Sequence, residues 1–465
     1  MSTGETTVNP QRWKIMHVIN LGTFMTTLDV GIVHLALPQV AEQFGANLGD
    51  VQWVITAYLL TMIGLLPILG GLSDRLERRV IYSFGMFGFG LGSLLAVFAG
   101  QLWLLIAARV VQGIGATMMM ANSQAMVRAV FPDNERGKAL GLNTVFMSAG
   151  TLAGPAIGGF LAQWGGWPLL FLINVPFAAA ATYYGLRLFP QTERSQRKLD
   201  TAGALVLAAA ATLLFAAAIM AQEQRFSAPV LIVGAAGLLA AAALWRIERR
   251  REHAIVDSIL YRNRHIGIGN LSNFLYYAAQ TGTQLPLSFY LLHGLGLSVS
   301  SAGLVLAVQP VLMGLSGPLS GWARDRFGPA WPTTAGMLIC AASTVPVAAG
   351  GTPTLADLIA FNAMFGLGTG LFLAANNATI MSAAPGSKAS LVGSMLALIR
   401  YLGMVGGIAL AVLLIGAGAT DASAAAQAQT ASGLRWLFAA SGCICLAVAL
   451  IGRWRGERAR VAATP

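Results

Sequence analysis

Long apolar segments recur along the whole chain, and they constrain its fold more than any other feature. An apolar helix of about 20 residues crosses the ~30 Å hydrocarbon layer of a bilayer, where only helices or closed barrels satisfy the backbone. The alternating pattern of a membrane barrel is absent, so the sequence predicts an all-α integral membrane protein. Fourteen segments of spanning length occur, at approximately 14–37, 51–72, 80–99, 102–127, 139–163, 167–188, 201–221, 228–246, 265–291, 298–321, 331–350, 354–380, 389–417 and 433–453.

The basic residues predict how these segments are oriented. With a cytoplasmic N-terminus, 25 of the 29 lysines and arginines fall in cytoplasmic segments, and only Arg225 and Arg435 fall in external loops. Positive residues concentrate on the cytoplasmic side of membrane proteins. We therefore expect a cell (inner or plasma) membrane protein with both termini in the cytoplasm. The net charge of +11 then reflects topology and contact with anionic lipids, not nucleic-acid binding.

Two landmarks occur twice in the sequence. GGLSDRLERR follows the second segment and GWARDRFG follows the tenth, while QGIGATMMMANSQAMVRAVFP and FGLGTGLFLAANNATIMSAAP form a second pair. The repeat predicts two six-helix bundles, 1–190 and 261–465, separated by two inserted helices and a cytoplasmic linker at 191–260. Repeated bundles around a central cavity are typical of transporters. The matched residues are Gly70, Asp74 and Arg75 with Gly321, Asp325 and Arg326, and Gly113, Gly115 and Pro132 with Gly366, Gly368 and Pro385.

Several motifs resemble those of the major facilitator superfamily, and within it the fourteen-helix drug:proton antiporter family. LDVGIVHLALP in the first segment and RYLGMVGG in the thirteenth resemble stretches typical of that family. The loop motif Gly-x-Leu-x-Asp-Arg-x-Gly-Arg-Arg is matched at Gly70, Leu72, Asp74, Arg75, Arg78 and Arg79, with Glu77 replacing its second glycine. The fourth-helix motif Arg-x-x-Gln-Gly-x-Gly is matched at Arg109, Gln112, Gly113 and Gly115.

A glycine-rich stretch, GLNTVFMSAGTLAGPAIGG, lies in the fifth segment. Small residues four apart let a neighbouring helix approach closely, and a proline bends a helix. The resemblance associates this pattern with export by exchange, whereas the alternative interpretation is a closely packed helix pair. The positions that match the antiporter motif are Gly141, Gly150, Gly154, Pro155, Gly158 and Gly159.

Ionisable groups inside the membrane are costly, which makes them functional candidates. Asp29 is the only acidic residue well inside a segment, and Arg109 lies at a similar depth in the fourth. At ~1.5 Å per residue the two side chains could meet. We expect Asp29 to be the proton acceptor, with Arg109 tuning it and His34 as a coupling participant. The alternatives are a permanent Asp29–Arg109 pair that only joins two helices, and a histidine that only packs.

The resemblance also implies a gate at the loop motif. In the family, its acidic residue closes the inner gate through salt bridges and contacts with helix dipoles. Asp74 would do this beside Arg75, Arg78 and Arg79, and Asp325 beside Arg326 would do the same in the second repeat. A solvated loop explains the arginines by topology alone, but it does not explain the repeated aspartates.

By analogy with the family fold, polar and aromatic residues on eight helices line a substrate cavity. Arg400 lies near the midplane, where we consider Asp29, an anionic substrate or backbone carbonyls as its counterpart. The residues expected at the cavity are Tyr58, Gln112, Asn122, Asn143, Asn273, Tyr276, Tyr277, Gln280, Gln284, Gln309, Asn376, Asn377 and Arg400.

These features favour a proton-coupled antiporter that exports hydrophobic or amphiphilic drugs by alternating access. A dedicated exporter of one metabolite, lipid or organic anion on the same fold is the alternative. A sensor without flux would leave the antiporter motifs without a purpose, and an enzyme is disfavoured because no nucleotide loop, metal cluster or nucleophile constellation is evident.

We expect no cofactor and no metal, with the proton gradient as driving force. The expected partners are small lipophilic substrates, protons and membrane lipids, with the monomer as functional unit.

Overall fold

The computed structural model describes residues 10–75, 77–190, 201–224, 227–248, 260, 263–349, 352–384, 389–415 and 424–461. These residues are helical apart from short connections, and no described residue lies in a strand. A π-helical turn at Tyr290–Gly294 directly follows the helix Arg264–Phe289. In chain order the helices are α1 Arg12–Phe44, α2 Leu48–Val51, α3 Trp53–Arg75, α4 Arg78–Val97, α5 Leu102–Val130, α6 Asp133–Gly165, α7 Pro168–Leu172, α8 Asn174–Leu188, α9 Thr201–Gln224, α10 Ala228–Glu248, α11 Arg264–Phe289, α12 Val299–Phe327, α13 Ala330–Ala349, α14 Leu355–Ser382, α15 Ala389–Ile415 and α16 Ala424–Val461.

The all-helical membrane fold predicted from the sequence is confirmed. Within the described ranges, twelve helical segments are long and apolar enough to cross a membrane. The helix α9 is absent from that set because its apolar part, Leu205–Ala221, is shorter. The helix α11 is also absent, and it carries the polar stripe that begins at Asn273. All fourteen predicted segments coincide with helices, but fourteen membrane crossings remain a prediction.

The helices pack in the same pattern in the two repeats. In the first, α1 packs on α6, and α5 packs on α3 and α4. In the second, α11 packs on α15, and α14 packs on α12 and α13. The inserted helices α9 and α10 pack on each other, with α9 against α3 and α15. The largest contact between the two repeats joins α6 to α12.

An ion pair joins the start of α1 to the start of α6. The Arg12 guanidinium donates to both Glu135 carboxylate oxygens, from Nε at 2.8 Å and from Nη2 at 3.2 Å. This hydrogen bonding lowers the pKa of the Glu135 carboxyl. Both side chains are partly exposed, so the pair mainly sets the register between the two helices.

Glycines let α6 approach α1 without intervening side chains. A Cβ added to Gly154 would lie 2.9 Å from the Gly31 Cα and 3.1 Å from the Leu28 carbonyl oxygen. One at Gly150 would overlap α1 as well, and one at Gly158 would press on Ile32. Gly150, Gly154 and Gly158 therefore form the smooth stripe expected from the sequence. The surroundings of Gly141 lie outside the described part of the chain.

The opposite face of α6 meets the second repeat. A Cβ on Gly159 would lie 2.7 Å from the Val299 carbonyl oxygen and 3.1 Å from the Gly303 Cα. At the same end of the bundle, the Ser300 backbone N–H donates to the Gln163 side chain at 3.3 Å. The motif thus packs α6 against α1 within one repeat and against α12 in the other.

We expect Gly154→Ala to lower the melting temperature of the purified protein, because the new methyl would press on backbone that cannot move aside. Overpacking of this kind costs about 1–3 kcal/mol. Gly314→Ala in α12 is the matched control, because a Cβ there meets nothing within 4 Å. The control should be neutral or slightly stabilising. Equal melting temperatures for the two variants in detergent would contradict the close α1–α6 contact.

Candidate transport site

A buried ion pair joins α1 to α5. The Arg109 Nη1 donates to the Asp29 Oδ2 at 2.6 Å, and each side chain is only 1% exposed. The structure therefore brings together the two charges that the sequence places at similar depth. A buried pair of this kind is stable only if further hydrogen bonds satisfy the remaining polar atoms.

Neutral polar groups complete the charge compensation. The Gln112 side chain donates to the Asp29 Oδ1 at 2.8 Å and accepts from the Arg109 Nη1 at 2.6 Å. Asn174 of α8 also donates to the Asp29 Oδ1, at 3.3 Å. The Gln112 Nε2 also contacts the Ser93 hydroxyl of α4 at 2.8 Å. The carboxylate thus accepts three hydrogen bonds, two from α5 and one from α8.

The third helix supplies the rest of the Arg109 environment. The Arg109 Nε donates to the Val54 carbonyl oxygen at 2.9 Å. The guanidinium carbon lies 4.4 Å from the centroid of the Tyr58 ring, a cation–π contact. Tyr58 also lines the central cavity, whereas Asp29 and Arg109 do not. The ring of Tyr58 therefore separates the ion pair from the cavity.

A cavity of about 430 Å³ lies between the two repeats. The polar stripe on α11, from Asn273 to Gln284, faces this cavity as its spacing predicts. His34 lines it as well. The residues expected at the cavity that the structure places there are Tyr58, Asn143, Asn273, Tyr276, Tyr277, Gln280, Gln284, Gln309, Asn377 and Arg400.

Three residues expected at the cavity do not line it. Gln112 is buried in the Asp29–Arg109 network. Asn122 donates to the Met118 carbonyl oxygen of its own helix at 2.8 Å. Asn376 donates to the Gly269 carbonyl oxygen and to the Asn273 side chain, both at 2.9 Å. In each case the amide is engaged by neighbouring groups, and the side chain serves helix packing instead.

Threonines and methionines line the cavity beyond the residues expected from sequence. Thr23, Thr26 and Thr27 of α1 do so, with their hydroxyls bonded to carbonyl oxygens of their own helix. Such self-bonded threonines present methyl groups, so sequence polarity does not reveal them. Their i, i+3, i+4 spacing is the signal that could have found them. The methionines at the cavity are Met119, Met120, Met147, Met313 and Met404.

Arg400 faces the cavity, and no carboxylate of the described residues pairs with it. Its Nη2 donates to the Tyr401 hydroxyl at 2.8 Å, and its charge also interacts with the Tyr277 side chain. Among the described residues it takes part in neither ion pair, since those join Arg12 to Glu135 and Arg109 to Asp29. The pairing of Arg400 with Asp29 considered from sequence is therefore wrong, because Arg109 occupies that carboxylate.

The gating residues are described only in part. The side chains of Asp74, Arg75 and Asp325, and the surroundings of Gly70, lie outside the described part of the chain. Their backbones lie at the last turns of α3 and α12. Arg78 and Arg79 begin α4. Arg326 is exposed and lies 5.6 Å from the Trp322 and Phe327 ring centroids.

A membrane bundle of two similar repeats, with a cavity between them and a buried ion pair in one, is the architecture of a transporter. The Major Facilitator Superfamily model matches residues 19–245 and 270–465. The chain therefore belongs to the Major Facilitator Superfamily, and it is a multi-pass membrane transporter and not an enzyme.

Related proteins carry transport and drug-resistance names. The riboflavin transporter RibZ of Clostridioides difficile (strain 630) is 33% identical over 86% of this chain and 87% of its own length. A methylenomycin A resistance protein of Streptomyces coelicolor is 30% identical over 83% of this chain and 82% of its own. The drug-resistance name of the second relative agrees with the resemblance to the drug:proton antiporter family. A peptide transporter POT structure in complex with sulfate has the same fold, with a TM-score of 0.70, 15% identity, and coverage of 96% of this chain and 94% of that one.

The buried pair makes a double-mutant cycle informative. Asp29→Asn and Arg109→Gln should each destabilise the protein by about 3 kcal/mol, since either change leaves one charge without its counterpart. The double variant should lose less than the two single losses combined, because no uncompensated charge remains. Unfolding in detergent followed by tryptophan fluorescence measures the three values. Strictly additive losses would show that the two groups are not coupled.

Proposed function

We propose that the protein is a proton-coupled antiporter that exports lipophilic or amphiphilic compounds by alternating access. The observation that carries this proposal is the Asp29–Arg109 pair, which lies directly behind Tyr58 of the cavity wall. A carboxylate at this depth is expensive unless it serves a function. Asp29 is the proton acceptor in this scheme, and Arg109 competes with the proton for it.

Opening of the ion pair favours proton uptake. The donors around Asp29 occupy three of about four acceptor positions on the carboxylate, and the adjacent guanidinium stabilises its charged form. Separation of Arg109 from Asp29 favours the protonated carboxyl, and return of the guanidinium expels the proton. His34 lies five residues beyond Asp29 in α1 and lines the cavity, and in this scheme it passes the proton between the cavity and Asp29.

The glycine contacts of α6 link this step to alternating access. Gly154 packs against Gly31, two residues after Asp29, whereas Gly159 packs against Gly303 of the other repeat. Separation of the repeats at α6 and α12 would therefore move α6, and α1 with it, relative to α5. The pair would open when the repeats part at that end of the bundle.

The predicted orientation assigns the two ends of the bundle. With cytoplasmic termini, the Gly159–Gly303 contact would lie at the external end of the bundle and would close it in an inward-facing state. In the outward-facing state, the loop motifs would close the cytoplasmic end, with Asp74 beside Arg75, Arg78 and Arg79 and Asp325 beside Arg326. In this scheme the functional unit is the monomer, since each chain carries its own cavity between the two repeats.

A transporter dedicated to one metabolite is the second candidate. It is favoured by the 33% identity to the riboflavin transporter RibZ. Tyr277 in the cavity wall provides an aromatic surface for a planar ring, and the buried Tyr276 packs against it with ring centroids 4.9 Å apart. The methionines of the wall adapt to ligands of different shape and favour the broader specificity. Competition between riboflavin and unrelated dyes distinguishes the two candidates.

Dye efflux in inverted membrane vesicles tests the coupling. We expect the wild type to move a lipophilic fluorescent dye when a pH gradient is imposed and to stop when the gradient is collapsed. Asp29→Asn should reduce gradient-driven movement by at least tenfold while dye binding persists, because the proton acceptor is lost. Asp50→Asn is the matched control, since this carboxylate is exposed in α2 and lies outside the cavity.

The outcomes separate coupling from packing. Unimpaired gradient-driven movement by Asp29→Asn would show that the pair only joins two helices. Loss of movement in both carboxylate variants would point to a general effect of acidic-residue removal and would contradict a specific role for Asp29.

A further inference from the structure

Among the described residues, the cavity carries one positive charge without a carboxylate to compensate it. Among the described lining residues, Arg400 is the only lysine, arginine, aspartate or glutamate. It donates to the Tyr401 hydroxyl and interacts with the Tyr277 side chain, and its guanidinium carbon lies 4.8 Å from the Tyr401 ring centroid. Neutral hydroxyls and an aromatic ring orient a guanidinium, but they do not neutralise it.

The nearest intramembrane acid is already engaged. Asp29 is paired with Arg109 at 2.6 Å and both are 1% exposed, so this pair contributes no net charge to the cavity. The other titratable groups of the wall are His34 and the tyrosines Tyr58, Tyr82, Tyr276, Tyr277 and Tyr401. None of these is an anion at neutral pH. The wall is therefore net positive.

A second lining residue also presents a donor without an acceptor. Gln309 is 2% exposed and lines the cavity. Its Oε1 accepts from the Gln284 Nε2 at 3.1 Å. The Gln309 Nε2 is buried and has no hydrogen-bond partner among the described residues. Buried donors without acceptors are uncommon in proteins and need an explanation.

A bound substrate could supply the counterion for Arg400 and the acceptor for Gln309. An acidic group on the substrate would compensate Arg400, which is suited to carboxylates because its donors form a planar fork. An acceptor elsewhere on the same molecule would satisfy Gln309. The apolar body would lie on the methionines and on Tyr276 and Tyr277.

We infer that the cavity selects lipophilic compounds with one anionic group, a carboxylate or an ionised phenol, and that Arg400 binds this group. This inference rests on the proposed transport function and narrows its substrate class. It disfavours cationic dyes, because their charge would meet Arg400 with no carboxylate in the wall to attract them.

Three pyrene probes of different charge test the inference. Pyrenebutyrate is anionic, pyrenebutanol is neutral, and a pyrenebutyl trimethylammonium salt is cationic, while the ring and chain are shared. Binding to the full-length purified protein in an uncharged detergent is followed by fluorescence anisotropy. We expect the wild type to bind the anion at least tenfold more tightly than the cation, with the neutral probe between them.

Variants of Arg400 assign the preference to one side chain. Arg400→Gln should abolish the preference for the anion while affinity for the neutral probe changes by less than about threefold. Arg400→Lys should retain much of the preference, because the charge remains. Arg435→Gln is the matched control, since Arg435 is exposed and lies outside the cavity, and its charge preference should equal that of the wild type.

Several results would overturn the inference. One is equal or tighter binding of the cation by the wild type, and another is an undiminished anion preference in Arg400→Gln. If Arg400→Gln fails to give folded protein, the three wild-type affinities and those of Arg400→Lys still test the inference.

Flux of the same probes in inverted vesicles distinguishes failure of this inference from failure of the proposed export. Gradient-driven flux without charge preference overturns only the inference, whereas anion-selective binding without flux overturns only the proposed export.

Discussion

The ion pair between Asp29 and Arg109 is the interaction on which the first repeat depends. Two charges removed from water are tolerated only when every remaining donor and acceptor is satisfied. Compensation here comes from α1, α3, α4, α5 and α8, through Asp29, Val54, Ser93, Gln112 and Asn174. These hydrogen bonds hold the helices in one arrangement. Movement of one helix relative to another would break some of them and raise the free energy of the buried charges. The proposed proton coupling requires a free energy that changes with helix position in this way.

The glycines of α6 determine how closely the moving parts approach. Gly154 and Gly31 bring two backbones together within the first repeat, and Gly159 and Gly303 do the same between repeats. Contacts between backbones have no side chains that must repack when helices slide, so they are suited to reversible movement. Pro155 lies between the two contacts and removes one backbone donor. The helix thus connects the interface between repeats with the helix that carries Asp29.

The two repeats share their packing but divide their chemistry. In the alignment that matches Gly113 with Gly366, the counterparts of Arg109 and Gln112 are Asn362 and Phe365. Asn362 donates to the Leu358 carbonyl oxygen of its own helix at 2.8 Å, and Phe365 packs on the Tyr276 ring. The second repeat holds no charge pair at this place among its described residues. Its polar side chains, those of α11 above all, face the cavity, whereas the buried charge pair lies in the first repeat.

The sequence by itself determined the helical membrane character, the internal repeat and the depth at which Asp29 and Arg109 lie. Apolar length, charge distribution and residue spacing are local properties, and they translate directly into helices and depth. Only the tertiary structure decided which polar groups reach the cavity. Periodicity identifies one face of a helix, but it does not say whether that face meets another helix or open space. Gln112 and Asn376 therefore hydrogen-bond to neighbouring buried groups and not to the cavity. The threonines of α1 line the cavity although their polarity did not predict it. The tertiary structure also decided that Arg400 does not pair with Asp29. Arg109 already compensates that carboxylate, so it is not available to a second guanidinium.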